Sequence, residues 1–193
     1  MNPAYLHPLT LSTLQEKFTE ESSIQLVNFL KEEVARSIAV ALREEDQADD
    51  LGPLRTSRIP SHRHGLSTGD WEIKGPPHKH RFCVLSARPS SQPSVALNTL
   101  HELETTLFAS SAFRRWLNIV SSYTPLKYST QVRRFRPGLD YTLAQFCDYE
   151  PRLDAILGLT CSPAEDAVNK WEEGNWGGWE VSTKLLLFKF MPQ

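Results

Sequence analysis

Short strand-like runs separated by turn signals dominate the second half of this chain. The run Val132–Gln145 (VRRFRPGLDYTLAQ) contains a basic strand, a Pro-Gly turn and an aromatic strand, and an apolar strand follows at Arg152–Thr160. A Gly-Gly pair between tryptophans marks another turn within Trp171–Val181. Short runs broken in this way are typical of an antiparallel sheet whose strands are joined by tight turns.

The first half of the chain mainly predicts helices. Apolar residues recur at helical spacing in four stretches, which are Thr10–Phe18, Lys31–Gln47, Leu97–Leu107 and Phe113–Val120. Ser110 and Ser111 are cap candidates for the last of these helices. Helices first and strands later predict the α+β class, with helices packed on an antiparallel sheet.

Two segments are harder to interpret from their pattern. Ser22–Leu30 alternates like a strand, although a helix stays possible there. Residues from about 47 to 94 are rich in Pro, Gly, Ser and His, and this composition predicts a flexible loop region with one strand at Arg81–Leu85.

Composition narrows the class of protein. The chain has 193 residues, a net charge of −2 and three scattered cysteines, which fits one domain over residues 1–193 and no disulfide framework. The first residues lack a signal-peptide pattern, and no apolar stretch reaches the ~20 residues needed to span a bilayer. We therefore expect a soluble protein of the cytoplasm or nucleus, with no membrane contact and no direct nucleic-acid partner.

Motifs in several parts of the chain resemble the carboxy-terminal domain of the Tpa/Ofd family of Fe(II)- and 2-oxoglutarate-dependent prolyl hydroxylases. The strand and turn order from Val132 to Val181 is one of them, and ESSIQLVNFL and the opening Tyr-Leu are others. WEIKGPPHKHRF also fits the family's pattern of a tryptophan, a Gly-Pro-Pro turn, a basic residue and an aromatic, here Trp71, Gly75, Pro76, Pro77, Lys79 and Phe82.

The resemblance implies a fold. That carboxy-terminal domain is a degenerate double-stranded β-helix, a jelly-roll or cupin-like sheet, with flanking helices. We expect the catalytic amino-terminal domain of the family to be absent from this chain. The end, STKLLLFKFMPQ, is unlike the family's closing strands. The β-helix is therefore expected to be truncated, which would make the chain a fragment or a wrongly assembled frame, unless another element closes the fold.

The resemblance also implies a function. The parent family uses Fe(II), 2-oxoglutarate and ascorbate to hydroxylate a prolyl residue of a ribosomal protein, and is linked to translation termination and oxygen-dependent regulation. Its second domain serves as a platform for substrates and partners and helps to regulate protein turnover. For this chain we expect a non-catalytic domain that binds a ribosomal or translation-related protein, or a regulatory inhibitor protein. The alternative is a peptidyl-proline dioxygenase, acting as a fragment or with a separate catalytic half.

The histidines argue against an iron site in this chain. Oxygenases of this kind hold iron with two histidines and one carboxylate, and the first two ligands come as His-x-Asp or His-x-Glu. None of the six histidines has Asp or Glu two residues later. By the resemblance, Gln145 and Cys147 stand at the degenerate ligand positions. We therefore expect no catalytic residue, metal or cofactor here, and Asp140 and Asp148 are expected to be lone carboxylates.

Other residues allow weaker hypotheses. His62, His64, His78, His80 and Cys83 have a spacing that could bind zinc, or they are simply solvated. Cys147 and His101 could form a nucleophile set with an acidic residue, but no local motif supports it and an ordinary thiol is the favoured interpretation. Trp171, Trp176 and Trp179 are contact residues if they are exposed and sheet-packing residues if they are buried.

A basic run provides the candidate contact surface. Residues 105–139 contain no Asp or Glu, but they contain several arginines. We predict that Arg133, Arg134, Arg136 and Tyr141 bind a partner, and that Arg114 and Arg115 could join them in a patch for an acidic protein segment or a phosphate. The alternative is that these arginines pair with the acidic residues in Glu44–Asp50.

Overall fold

A computed structural model of the chain describes residues 1–48, 67–87, 94–136, 139–143 and 152–159, together with the backbone of 185–191. The chain forms two compact units, each assembled from separated stretches. The first unit contains residues 1–40, 110–128 and 149–193, and the second contains residues 41–109 and 129–148.

The described elements combine helices with short strands. The helices are α1 (Pro8–Glu21), α2 (Glu32–Ala48), α3 (Val95–Glu102) and α4 (Ser111–Ser121); a 3-10 turn, Pro3–Leu6, precedes α1, and a π-helical segment, Leu103–Phe108, follows α3. The strands are β1 (Ser23–Val27), β2 (Ser67–Thr68), β3 (Trp71–Lys74), β4 (His80–Leu85), β5 (Arg133–Arg134), β6 (Tyr141–Thr142), β7 (Arg152–Leu157) and β8 (Leu185–Met191). This mixture is compatible with the α+β class.

Serine caps fix where the helices of the middle of the chain begin. The side chain of Ser110 accepts a hydrogen bond of 3.0 Å from the Phe113 backbone N–H, and Ser94 does the same for Leu97 at 3.3 Å. Each bond satisfies one backbone donor that the first helical turn leaves without a partner. The prediction of a cap at Ser110 is confirmed.

An aromatic cluster forms the core of the first unit. Phe113 and Trp116, both on the buried face of α4, stack with ring centroids 5.7 Å apart, and Phe29 contacts Trp116 edge-on at 5.8 Å. The indole N–H of Trp116 donates a hydrogen bond of 2.9 Å to the backbone oxygen of Tyr5. The cluster therefore joins α4 to the beginning of the chain.

The three-stranded sheet of the first unit is parallel, with strand order β1–β8–β7. The alternation in Ser22–Leu30 correctly predicted β1, whose Ile24 and Leu26 are buried. The antiparallel pairing predicted from the sequence is wrong for this sheet. Parallel neighbours need a long crossover rather than a tight turn, and residues 158–184 separate β7 from β8.

The second unit contains an antiparallel sheet in the order β2–β3–β4–β5, and β6 also pairs with β4. β4 confirms the strand predicted at Arg81–Leu85, whereas β2 and β3 lie where a flexible loop was predicted. Trp71 and Ile73 point inwards from β3 and are buried. The Gly-Pro-Pro sequence forms the β3–β4 connection, where the backbone N–H of Lys79 donates to the oxygen of Pro76 over 2.9 Å.

Some predictions fall outside the described residues. They include the Pro137–Gly138 turn, the tryptophan hairpin in Trp171–Val181, and the loop at residues 51–66. Among the helices that the structure describes, none is both long and apolar enough to cross a membrane.

Candidate functional site

Strand β4 organises the region that contains the predicted contact residues. One edge of β4 pairs with β3, and the other edge pairs with β5 and then β6. Arg134 lies opposite Cys83 and Arg133 opposite Val84, while Tyr141 lies opposite Arg81. Two short strands therefore share one edge of β4, and residues 135–140 connect them.

A buried ion cluster holds this connection. Asp140, whose side chain is fully buried, accepts hydrogen bonds from Nε and Nη2 of Arg136 at 2.8 and 2.9 Å. It also accepts one from the Arg136 backbone N–H at 2.9 Å. The Nε of Arg81 lies 3.4 Å from the other carboxylate oxygen, and this arginine is 1% exposed. The fork geometry of Arg136 and Asp140 is the strong, bidentate kind of ion pair.

This cluster has a structural role. Charges removed from water are tolerated only when good geometry and further hydrogen bonds offset the desolvation cost. Asp140 provides hydrogen bonds and an opposite charge for Arg136 and an opposite charge for Arg81. The two arginines come from the two separate stretches that make up the second unit. The prediction that Asp140 is a lone carboxylate is therefore wrong.

Cys83 lies beside the cluster, and its surroundings make its thiol a poor nucleophile. Its sulfur is 3.9 Å from a carboxylate oxygen of Asp140, and the residue is buried. Burial raises the pKa of the Cys83 thiol, and the nearby Arg136 guanidinium opposes this only in part. A raised pKa keeps the thiol protonated at neutral pH, and the protonated form is a poor nucleophile.

Arg134 also makes contacts within the second unit. Its Nη2 lies 2.6 Å from the Asp46 carboxylate, and its guanidinium lies 5.7 Å from the centroid of the Trp71 ring. The neighbouring Glu45 accepts hydrogen bonds from the Trp71 indole N–H and from the hydroxyl of Ser94. The end of α2 is thus joined to the sheet by acidic side chains, which is the pairing with Glu44–Asp50 that the sequence left open.

Arg133 lies on the opposite face of β4. Its guanidinium lies 4.7 Å from the centroid of the Phe82 ring, and its Nε donates a hydrogen bond of 2.6 Å to the side chain of Gln131. Phe135 packs against the same ring at 5.5 Å and is 45% exposed, and His80 stacks on it at 5.0 Å. We call Arg133 and Phe135, resting on Phe82, the Arg133 surface.

Tyr141 lies at the edge of the same sheet. Its hydroxyl donates a hydrogen bond of 2.5 Å to the backbone oxygen of Pro77, and its ring is partly exposed. Its register opposite Arg81 places it on the other face from Arg133. The four predicted contact residues therefore do not share one surface. Arg136 is buried and Arg134 is mostly buried, each in an ion pair, while Arg133 and Tyr141 are exposed on different faces.

The two helix arginines belong to a different part of the molecule. Arg114 and Arg115 are in α4 and in the first unit, whereas β5 is in the second unit.

The sequence matches a known protein family over residues 1–184, and the family is described as "Oxoglutarate and iron-dependent oxygenase degradation C-term". This match covers nearly the whole chain and agrees with the resemblance based on the strand and turn motifs. The chain belongs to this family of carboxy-terminal oxygenase domains.

A relative adds a more particular likeness. The chain is 33% identical, over an alignment of 195 residues, to prolyl 3,4-dihydroxylase OGFOD1 of Ostreococcus tauri. The alignment covers 93% of this chain and 34% of the relative. The chain thus spans about a third of the length of the relative that it matches.

The described residues do not fit the iron centre that the family name implies. Within the described ranges, no three His, Cys, Asp or Glu side chains converge so that they could hold a metal ion. The carboxylate of Asp140 is engaged by two arginines. His80 and Cys83 are three residues apart on β4 and point to opposite faces, so the proposed zinc spacing does not converge there. The degenerate ligand positions Gln145 and Cys147 lie outside the described residues, as do His62 and His64.

Sequence reasoning missed two residues of this site. Asp140 follows Arg136 by four positions in the sequence, and that spacing was a visible signal for an ion pair. Strand alternation predicts that Phe135 shares a face with Arg133, but Phe135 was not predicted as a contact residue. The contact with Phe82 was not readable, because nothing local links residues so far apart in sequence.

Proposed function

We propose that this chain is a non-catalytic protein-binding domain of the prolyl hydroxylase family, and that it contacts its partner through the Arg133 surface. The observation that carries the proposal is the placement of Arg133 and the exposed Phe135 on one face, over Phe82. Tyr141 is proposed as a second contact at the sheet edge. Arg134 and Arg136 hold the sheet and support these residues indirectly.

The Arg133 surface has the properties of a binding hot spot. Arginine and aromatic residues are enriched among the side chains that contribute most to protein–protein affinity. Gln131 and Phe82 fix the Arg133 guanidinium before a partner arrives, so little side-chain entropy is lost on binding. An aromatic ring left 45% exposed beside it supplies apolar area.

The class of partner and the wider setting are proposed from the family resemblance. We propose a ribosomal or translation-related protein, or a regulatory inhibitor protein, in the cytoplasm or nucleus. The proposed fold is the family's degenerate double-stranded β-helix, to which β3, β4 and β5 would contribute. Partner binding would then serve prolyl hydroxylation, translation termination and oxygen-dependent regulation, while the iron, 2-oxoglutarate and ascorbate belong to a catalytic domain.

A capture experiment with matched charge reversals tests the surface. The purified chain is used as bait in a cell extract, and bound proteins are quantified by mass spectrometry. Arg133→Glu combined with Phe135→Ser is expected to remove the enrichment of translation-related proteins. Arg36→Glu is the control, since Arg36 is exposed on α2 and carries the same charge. Equal enrichment by the double variant would contradict the surface. A wild-type sample enriched neither in ribosomal or translation-related proteins nor in a regulatory inhibitor protein would contradict the partner class.

The enzymatic alternative has its own test. Its support is the printed name of the relative, a prolyl 3,4-dihydroxylase, which is about three times as long as the aligned chain. Thermal unfolding is measured with and without Mn(II) plus 2-oxoglutarate, because manganese replaces iron without being oxidised. A ligand at about 100 times its Kd stabilises a protein by ~2.7 kcal/mol. We expect no shift in Tm, and a shift that requires both ligands would favour the dioxygenase.

A further inference from the structure

A second exposed surface lies in the first unit, on α4 and the residues that follow it. It combines cations with large apolar and aromatic side chains, which are Arg114, Arg115, Ile119, Tyr123, Leu126, Lys127 and Tyr128. We call it the α4 surface. It is independent of the Arg133 surface, which belongs to the second unit.

The segment after α4 folds back along the helix. The side-chain amide of Asn118 donates hydrogen bonds to the backbone oxygen of Tyr123 at 3.1 Å and to the hydroxyl of Thr124 at 3.0 Å. One helical turn earlier, the guanidinium of Arg114 lies 5.7 Å from the centroid of the Tyr128 ring. Residues 123–128 are therefore held beside the helix in a defined position.

Several large apolar side chains of this surface are exposed to solvent. Leu126 is 88% exposed, and Ile119, Tyr123 and Tyr128 are each about half exposed. Arg115 and Ile119 are one helical turn apart on the solvent side of α4, so a cation and an aliphatic group lie next to each other there. Exposed apolar groups that cluster, rather than occur singly, mark interaction sites.

Within the described ranges, the positive charges of this surface have no ion-pair partner. Among the residues that the structure describes, no carboxylate forms an ion pair with Arg114, Arg115 or Lys127. The Nε of Arg114 is buried and lacks a hydrogen-bond partner in the described part of the chain. Because residues 105–139 contain no Asp or Glu, no neighbour in sequence supplies the missing negative charge either.

We propose that the α4 surface binds an acidic amphipathic segment of a partner protein. Carboxylates of such a segment would pair with Arg114, Arg115 and Lys127, and its apolar side chains would cover Ile119 and Leu126. The two exposed aliphatic residues of the surface favour a protein over a nucleic acid, which offers no apolar side chains to bury. Complementary charge would also speed the encounter and orient the partner.

Fluorescence anisotropy with designed peptides tests this proposal. The probe is a short labelled helical peptide with leucine at every third and fourth position and glutamate between them. A matched peptide with lysine in place of each glutamate and a labelled single-stranded oligouridine are the comparison ligands. We expect binding of the acidic peptide only, and weaker binding as the salt concentration rises.

Variants locate the binding site on the protein. Arg115→Glu and Lys127→Glu are each expected to weaken binding of the acidic peptide about fivefold, and Leu126→Ser to weaken it further. Lys31→Glu is the matched control, because Lys31 is an exposed lysine of the same unit and its reversal changes the net charge equally. These substitutions are at exposed positions, so far-UV circular dichroism is expected to stay unchanged.

The outcomes separate the proposal from its rivals. The proposal is supported if the acidic peptide binds, if the α4 variants weaken this binding and if Lys31→Glu leaves it unchanged. Equal loss with Lys31→Glu overturns it in favour of general charge attraction. Tighter binding of the oligouridine, lost in the same variants, overturns it in favour of an RNA surface, and no binding of the acidic peptide overturns it outright.

Discussion

Asp140 determines which of the neighbouring arginines are available to bind a partner. The basic run at residues 133–136 suggests a positive surface. However, Arg136 forms a buried ion pair with Asp140, and Arg134 forms an ion pair with Asp46. Charge reversal at Arg134 and Arg136 would therefore damage the fold before it reported on any partner. Arg133 is the position in this run where a substitution tests binding.

Removing the Asp140 carboxylate is predicted to be strongly destabilising. Asp140→Ala removes the carboxylate that the buried Arg136 and Arg81 share, and removing one partner of a buried ion pair typically costs about 3–5 kcal/mol. Urea unfolding monitored by tryptophan fluorescence measures the change in the free energy of unfolding. Asp46→Ala is the control, because Asp46 is more exposed and its loss should cost less. A loss below about 1 kcal/mol for Asp140→Ala would contradict the cluster's role.

Cys83 is predicted to resist alkylation in the native protein. Its raised pKa reduces the fraction of thiolate at pH 8, and burial blocks access by the reagent. Iodoacetamide labelling followed by peptide mass mapping is expected to modify Cys83 only in denaturant. Rapid labelling of Cys83 without denaturant would mean that β4 opens easily or that the thiol is more acidic than its surroundings imply.

At the scale of elements, the helices were predictable and the strands were partly so. Apolar spacing located α1, α2 and α4 within a few residues, because amphipathic periodicity extends over several turns. β3 has four residues inside a segment rich in Pro and Gly, so its alternation was too short to be recognised. The strand pairing of β1 with β8 was not predictable, since it joins the two ends of the chain.

The cap of α4 provides a prediction at this scale. Ser110→Ala removes the hydrogen bond to the Phe113 N–H and is expected to lower the free energy of unfolding by about 1 kcal/mol. The aromatic core of the first unit depends on α4, so the loss should appear in global unfolding by denaturant. Ser111→Ala is the matched control and is expected to have little effect, because Ser111 is exposed and is the first helical residue. Equal effects of both substitutions would contradict the cap.

At the scale of the whole molecule, the two units differ in how the chain builds them. The antiparallel sheet of the second unit follows the turn signals of the sequence. The sheet of the first unit places β8 between β1 and β7, and β8 begins at Leu185, directly after the last residue that matches the family. The sequence Leu185–Met191 is almost continuously apolar, as strands of parallel sheets usually are. The unfamiliar end of the chain thus supplies a central strand.

Deleting residues 185–193 tests that architecture. The deletion removes the strand to which β1 pairs, so the amides that β8 protects in Ser23–Val27 are expected to lose their slow hydrogen exchange. The amides of β3 and β4 are expected to keep their protection, because their ladders lie within the second unit. Hydrogen–deuterium exchange with mass spectrometry reads both regions in one experiment.

A shorter deletion distinguishes the effect of losing β8 from the effect of losing the last two residues. Removing only Pro192 and Gln193 leaves β8 intact, so exchange in β1 should match that of the full chain. If the longer deletion also leaves β1 protected, β1 must obtain its hydrogen bonds from something other than β8, and the parallel sheet would be wrong. If β3 and β4 lose protection together with β1, the two units unfold cooperatively, and the stability of the Arg133 surface depends on the far end of the chain.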